Sequence, residues 1–158
     1  MPPEPGRQDG ATHRQSALLR LCTGIAAAHG EDEICRAVVR GLHDRSIGYD
    51  FVGVFLRDEA TGDRIMRASV GWSDIPPDLR LPRGQGLSAR PLEDGRPHYT
   101  ADVTQVPDYI PGLSSGSEVD IPLLIDAQPV GELVVESERP NARDDADQHQ
   151  TDASDPAV

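Results

Sequence analysis

The side chains of this 158-residue chain that could carry chemistry are Cys22 and Cys35, five histidines, Ser88 and a large stock of carboxylates. Thiol redox catalysis needs a thiolate nucleophile with a resolving thiol in reach. Cys22 and Cys35 both fall in segments patterned as helices, where they read as packed thiols rather than as a disulfide. Ser88 as a nucleophile would need a base such as His98, and nothing in the sequence brings the two together. His13, His29, His43 and His149 lack metal-ligand spacing. His98 has the chemistry of an axial haem ligand, but it reads first as an exposed histidine at a strand end. All 15 basic residues are arginine, which removes Schiff bases, a phosphate-loop lysine and a lysine general base. The sequence therefore assigns no catalytic residue and no metal ligand, and it leaves the cofactor unknown.

The charge balance narrows the partners. A net charge of -12 and a pI near 4.6 argue against nucleic acid and against an anionic membrane surface, because both require a basic face. The N-terminal MPPEPGRQDG has no apolar core of a signal peptide, and no stretch approaches the length of a membrane span. The expected location is cytoplasmic, and the length suits one domain with its own core.

The elements that must position any site follow from periodicity. Residues 1–11, rich in Pro and Gly, are expected to form a disordered arm. A helix is expected from Thr12 or His13, with Leu18, Leu21, Cys22, Ile25 and Ala28 on one face and Gly30 as its C-cap. A second helix follows at Glu31, its first turn acidic and its stripe made of Ile34, Val38 and Leu42. The period then changes. YDFVGVFLRD reads as a central strand, with Phe51 and Phe55 on one face and Val52, Val54 and Leu56 on the other. DRIMRASVGW is its hairpin partner, with Ile65, Arg67 and Ser69 opposed to Met66, Ala68 and Val70. Residues 73–85 read as a loop, 86–93 as a short helix limited by Pro91, and 97–102 as a short strand. After a long loop, the kind that often carries binding function, SEVDIPLLID and PVGELVVES form two strands joined at Ala127–Gln128. Pro122 implies an edge or a bulge. Helices at the start and hairpin-joined strands after them make the fold class α+β with a mostly antiparallel sheet.

From Arg83 onward the order of residues resembles the GAF family of small-molecule sensing domains. The resemblance rests on Gly84, Gly86 and Leu87; Gly95 and Pro97; Asp102 and Val103; Ser117 and Glu118; Ile121, Pro122 and Leu123; Val130, Gly131 and Leu133; and Glu136 and Ser137. The leading helices and the first strand also fit, so the resemblance covers roughly residues 14–140. It implies a GAF-like (PAS-like) central sheet, with terminal helices on one face and loops enclosing a ligand cavity on the other. Residues 12–140 are the expected domain.

Within the family, the sequence is similar at a distance to free methionine-R-sulfoxide reductase. Ser88 and the Ile110–Leu113 segment stand where that enzyme has cysteines, although Glu118 and Glu136 match in position. The cyclic-nucleotide motif requires a lysine, which this chain lacks, and a covalent bilin requires a cysteine in the pocket region. The expectation is a non-catalytic sensory or regulatory domain that binds an unidentified small molecule or signals by dimerisation through its N-terminal helix. Its output would go to a separate signalling protein. The reductase and a helix-mediated scaffold are the alternatives. The candidate ligand-binding residues are Phe55, Trp72, Leu87, Asp102, Tyr109, Ser117, Glu118 and Glu136. Trp72 and Tyr109 suit an aromatic wall as well as ordinary packing. Asp102 suits a turn cap as well as a ligand contact, and GQG at 84–86 suits a tight turn better than an anion cradle. Buried carboxyls at 118 and 136 should titrate high unless donors meet them.

The resemblance also implies a C-terminal helix. Residues 143–158 offer only alanines and Val158 to bury, so residues 141–158 are expected to be a disordered acidic tail. The face of PVGELVVES opposite the pocket should then depend on the first two helices or on a second subunit.

Overall fold

In the computed structural model, the structure describes residues 5–107, 109–110 and 116–142, with side chains from Gly10 onward. The tail expected beyond residue 142 and the first four residues lie outside the described residues. Six strands form one sheet: β1 (Phe51–Arg57), β2 (Arg64–Val70), β3 (Arg80–Leu81), β4 (His98–Thr100), β5 (Ser117–Ile125) and β6 (Gln128–Ser137). Their order is β3-β2-β1-β6-β5-β4, and every pairing is antiparallel. Two helices, α1 (Pro5–Ala27) and α2 (Glu31–Leu42), precede the sheet.

The two-faced reading of β1 holds. Val52 and Val54 pack with Cys35 and Val39 of α2, whereas Phe55 packs with Met66 and Val134 on the other side. The strict alternation expected in β2 does not hold. Val54 pairs with Ala68 and the next residue, Phe55, pairs with Met66, so Arg67 is the extra residue of a β-bulge. The bulge moves Met66 to the face of Phe55 while Ala68 and Val70 stay with the helices. Arg67 meets Glu31 and Asp32 at the start of α2.

The helix stripes are rotated from those expected. α1 begins at Pro5, within the segment expected to be disordered. Its buried position is Ala17, with Leu21 and Ile25 half-buried, while Leu18 and Cys22 are exposed. The cause lies in how the helices meet. A Cβ on Gly24 would touch Ala37, and the Leu21 side chain already fills the space beside Gly41, so small residues set the contact. In α2, Cys35 and Val39 are the buried residues and Ile34 is exposed. Gly30, with φ 105°, is the N-cap of α2 rather than the C-cap of α1.

The β5–β6 turn consists of Asp126 and Ala127, one residue earlier than expected, and both have positive φ, the backbone of a two-residue hairpin. Pro122 sits where β5 has outrun the short β4, so its missing N–H costs no ladder bond on that side. On the helix side, Val135 is buried, but Val119, Ile121, Leu123 and Leu133 are only half-buried. The far strands of that face are thus partly uncovered among the described residues.

Candidate functional site

The face carrying Phe55 is roofed by the segment from Trp72 to Leu79, a 3-10 turn (Leu87–Ala89) and α3 (Arg90–Asp94). Between roof and sheet lies a cavity of about 240 Å³. Phe55, Met66, Trp72, Leu87 and Val134 make its apolar wall, Tyr109 closes one side, and Glu118 and Glu136 border it. Trp72 lies parallel to Phe51, with ring centroids 6.1 Å apart and an interplanar angle of 8°. It can sit this low because β1 has glycine beneath it: a Cβ on Gly53 would come within 2.6 Å of the indole ring. The Trp72 Nε1 donor is buried with no hydrogen-bond partner among the described residues.

The polar part of the site follows from strand parity. Glu118 and Asp120 alternate on β5, Glu132 and Glu136 on β6, and register sets Glu118 opposite Glu136. All four are buried, with Asp120 and Glu132 at 0% exposure. Arg64 answers from β2 and is itself 1% exposed. Its Nη1 donates to Glu132 Oε1 at 3.0 Å and to the Ser88 hydroxyl, and its Nη2 donates to the Gln85 carbonyl. Arg64 therefore ties the roof to the sheet. Among the described residues, its Nε and the second oxygen of Glu132 have no hydrogen-bond partner.

Burial dominates the titration of these acids. It pushes Glu132 up to about 7, even though the Arg64 charge and hydrogen bond pull the other way. Burial raises Glu118 as well, against the pull of contact with Asp120 and of the Arg64 and Arg90 charges. Asp120 is raised well above the ordinary carboxyl range, first by burial and then by the neighbouring Glu118.

Of the eight residues expected to bind ligand, the structure gathers Phe55, Trp72, Leu87, Tyr109, Glu118 and Glu136 at this cavity. Asp102 does not reach it. Its carboxylate caps the 3-10 turn Val103–Gln105, accepting from the Thr104 N–H at 3.0 Å and the Thr104 hydroxyl at 2.6 Å, and these bonds hold its pKa below the usual value. Ser117 also lies elsewhere. Its hydroxyl donates to the Arg139 carbonyl at 2.8 Å and lines a wider cleft of about 770 Å³ between Arg14 of α1 and the chain's course past Arg139. Gly84 and Gly86 have positive φ, and the Gln85 carbonyl between them points at Arg64, which is the tight-turn reading. His98 is engaged by Asp94 at 2.8 Å.

Sequence reasoning missed Arg64, Asp120, Glu132 and Met66. Glu118 and Asp120 share parity on β5, as Glu132 and Glu136 do on β6, but a two-residue turn alone would set the two pairs on opposite faces; the register shift between Leu123 and Leu124 brings all four to one face. Arg64 gave no signal, since its partners lie 21 to 68 residues away. Neither thiol lines the cavity: Cys35 is under α2 on the opposite face and Cys22 is exposed on α1.

A family model described as GAF domain matches residues 30–152. Comparison with curated proteins found no match. Among solved structures, the chain is similar to free methionine-R-sulfoxide reductase from Neisseria meningitidis in complex with its substrate, with a TM-score of 0.74 and 23% identity over 88% of this chain and 81% of that one. It is similar to the GAF domain of a phosphoenolpyruvate-protein phosphotransferase from Coxiella burnetii, with a TM-score of 0.73 and 22% identity over 82% and 80%. It is also similar to a methyl-accepting chemotaxis protein, with a TM-score of 0.67 and 26% identity over 84% and 88%. No helix of the described residues is long and apolar enough to cross a membrane.

Proposed function

The chain belongs to the GAF domain family, and within it we propose a non-catalytic regulatory module whose cavity binds a small organic cation with an apolar body. One observation carries this reading: two buried glutamates, Glu118 and Glu136, stand opposite each other across β5 and β6 at the edge of an otherwise apolar cavity. Like charges directly opposite on a sheet repel, and water that would screen them is largely excluded. A protonated amine between them relieves that repulsion. Phe55, Met66, Leu87 and Trp72 offer the rest of the ligand an apolar, flat-walled slot. The free amino acid that the Neisseria relative's name implies carries such a protonated amine.

The non-catalytic part rests on the positions of the thiols. Reductase chemistry draws on a thiolate at the substrate, and both Cys22 and Cys35 lie away from the cavity. The regulatory part draws on relatives from chemotaxis and phosphotransfer proteins. Signalling would pass through a second copy. Leu18 and Leu19 of α1 are 49% and 69% exposed, and the half-buried face of β5 lies on the same side of the sheet.

The test is native mass spectrometry of freshly purified protein, which reads retained ligand and oligomeric state together. It is paired with thermal-shift screening of amines, amino acids and their uncharged isosteres. Cationic compounds should stabilise the protein, by about 2.7 kcal/mol at a hundred times Kd, and the isosteres should not. Stabilisation by anions alone would overturn the reading. So would turnover of free methionine-R-sulfoxide that disappears in Cys22→Ser or Cys35→Ser.

A further inference from the structure

Asp120 lies on the cavity-side face of β5 with no surface exposed to water, and among the described residues neither of its oxygens meets an N–H or O–H donor. It stands two residues from Glu118 on the same face of β5, and the two carboxyls lie within hydrogen-bonding reach of each other. Two ionised carboxylates can only accept hydrogen bonds, so in that state the contact is purely repulsive. One proton held between them removes the repulsion and supplies the missing donor.

The surrounding charges leave this arrangement in place. Glu132 and Glu136 of β6 face the pair and add negative charge. The charges of Arg64 from β2 and Arg90 from α3 reach Glu118, but Arg64 directs its hydrogen bonds to Glu132, Ser88 and the Gln85 carbonyl. His98 of β4 is the cross-strand neighbour of Asp120 and is held by Asp94. On β1 the same face carries Phe51 and Phe55, which bring no charge.

We propose that Glu118 and Asp120 share one proton while the cavity is empty, and that an organic cation entering between Glu118 and Glu136 displaces it. The proton leaves to water, the ligand keeps its charge, and the net charge of the site does not change. An uncharged isostere has nothing to exchange for the proton, so Asp120 makes the pocket selective for cations. This rests on the cation reading of the cavity given above. The linkage has a definite sign: a ligand that expels a proton binds more tightly as pH rises, by about tenfold per pH unit, until the pair has lost its proton unaided.

The experiment begins without ligand. Infrared spectra of the wild type at about pH 8, where Glu132 with its pKa of about 7 is mostly ionised, should show a protonated-carboxyl stretch that Asp120→Asn lacks. If Asp120→Asn fails to fold, Glu118→Gln serves, because its amide donates to Asp120 in the proton's place. Absence of the band in the wild type overturns the shared proton and leaves the cation reading standing. The probe is then n-butylammonium, followed by fluorescence of Trp72, the chain's one tryptophan. The expected results are loss of the band on binding, affinity rising about tenfold per pH unit in the wild type, and a flat profile in Asp120→Asn. A band that persists with the cavity filled overturns the displacement. No fluorescence response to the amine at any pH, with the band present, overturns the cation reading and the displacement with it.

Discussion

Replacing Glu132 with Gln removes the carboxylate of the only Arg ion pair buried on both sides among the described residues, and it should stabilise the protein at high pH. Glu132 is fully buried and titrates at about 7 against an ordinary 4.5. An acid whose folded-state pKa is raised binds its proton more tightly when folded. Stability is therefore greatest below the unfolded value and falls as pH rises through the window from about 4.5 to about 7. At about 1.4 kcal/mol per unit, the full loss is about 3 kcal/mol, of which about 2–3 kcal/mol falls between pH 5 and pH 8. Glutamine mimics the protonated acid at every pH. Glu132→Gln should thus match the wild type at pH 5 and exceed it by about 2–3 kcal/mol at pH 8. Urea unfolding at both pH values, with unchanged m, reads this directly. A variant less stable than the wild type by the same amount at both pH values would refute the reasoning. In that case the attraction of Arg64 would outweigh the burial of the charge.

Gly53→Ala places a methyl group against the Trp72 ring, so it should blue- or red-shift Trp72 emission and cost about 1–3 kcal/mol; an unchanged spectrum contradicts the packing described. Asp102→Ala should cost about 1 kcal/mol through loss of the Thr104 cap and leave the affinity of any cavity ligand unchanged, by calorimetry. Ala127→Gly should raise stability by about 1 kcal/mol in thermal or urea unfolding, since it relieves a positive φ at a hairpin position that prefers glycine. Arg64→Met leaves Glu132 without its cation and should destabilise the protein by about 3–5 kcal/mol at pH 8 but by less at pH 5, where Glu132 is already protonated.

The fold was legible wherever a segment's own pattern decides its structure. β1 is apolar on both faces and can only be central, and the hairpins around Gly62 and Ala127 follow from adjacent strands. The exact stripes of α1 and α2 were not legible, because Leu18 and Ile34 are as apolar as the residues that replaced them. What turned the helices was the fit of Leu21 beside Gly41 and of Gly24 beside Ala37, a property of two segments together. The cavity's aromatic wall could be read from Trp72 and Tyr109 near strand ends. Its buried charges were legible only in part. The family resemblance led to Glu118 and Glu136, but Asp120 and Glu132, each taken on its own strand, look like ordinary solubilising residues, and only the register that sets Glu118 opposite Glu136 puts all four on one buried face. Asp102 and Ser117 misled for the opposite reason: their backbone contacts with Thr104 and Arg139 satisfy them before any ligand does.

The extra residue at Arg67 makes β2 a strand with a punctuation mark. Arg64 and Met66 precede it and belong to the cavity side, while Ala68 and Val70 follow it and belong to the helix side. Losing one residue there would shift the strand's reading frame, and the chain could keep the guanidinium beside Glu132 or the small alanine under α2, but not both. Substitutions at Arg67 should therefore be mild, while single-residue deletions and insertions between 65 and 68 should not be tolerated. In β2 the count of residues carries more information than their identity.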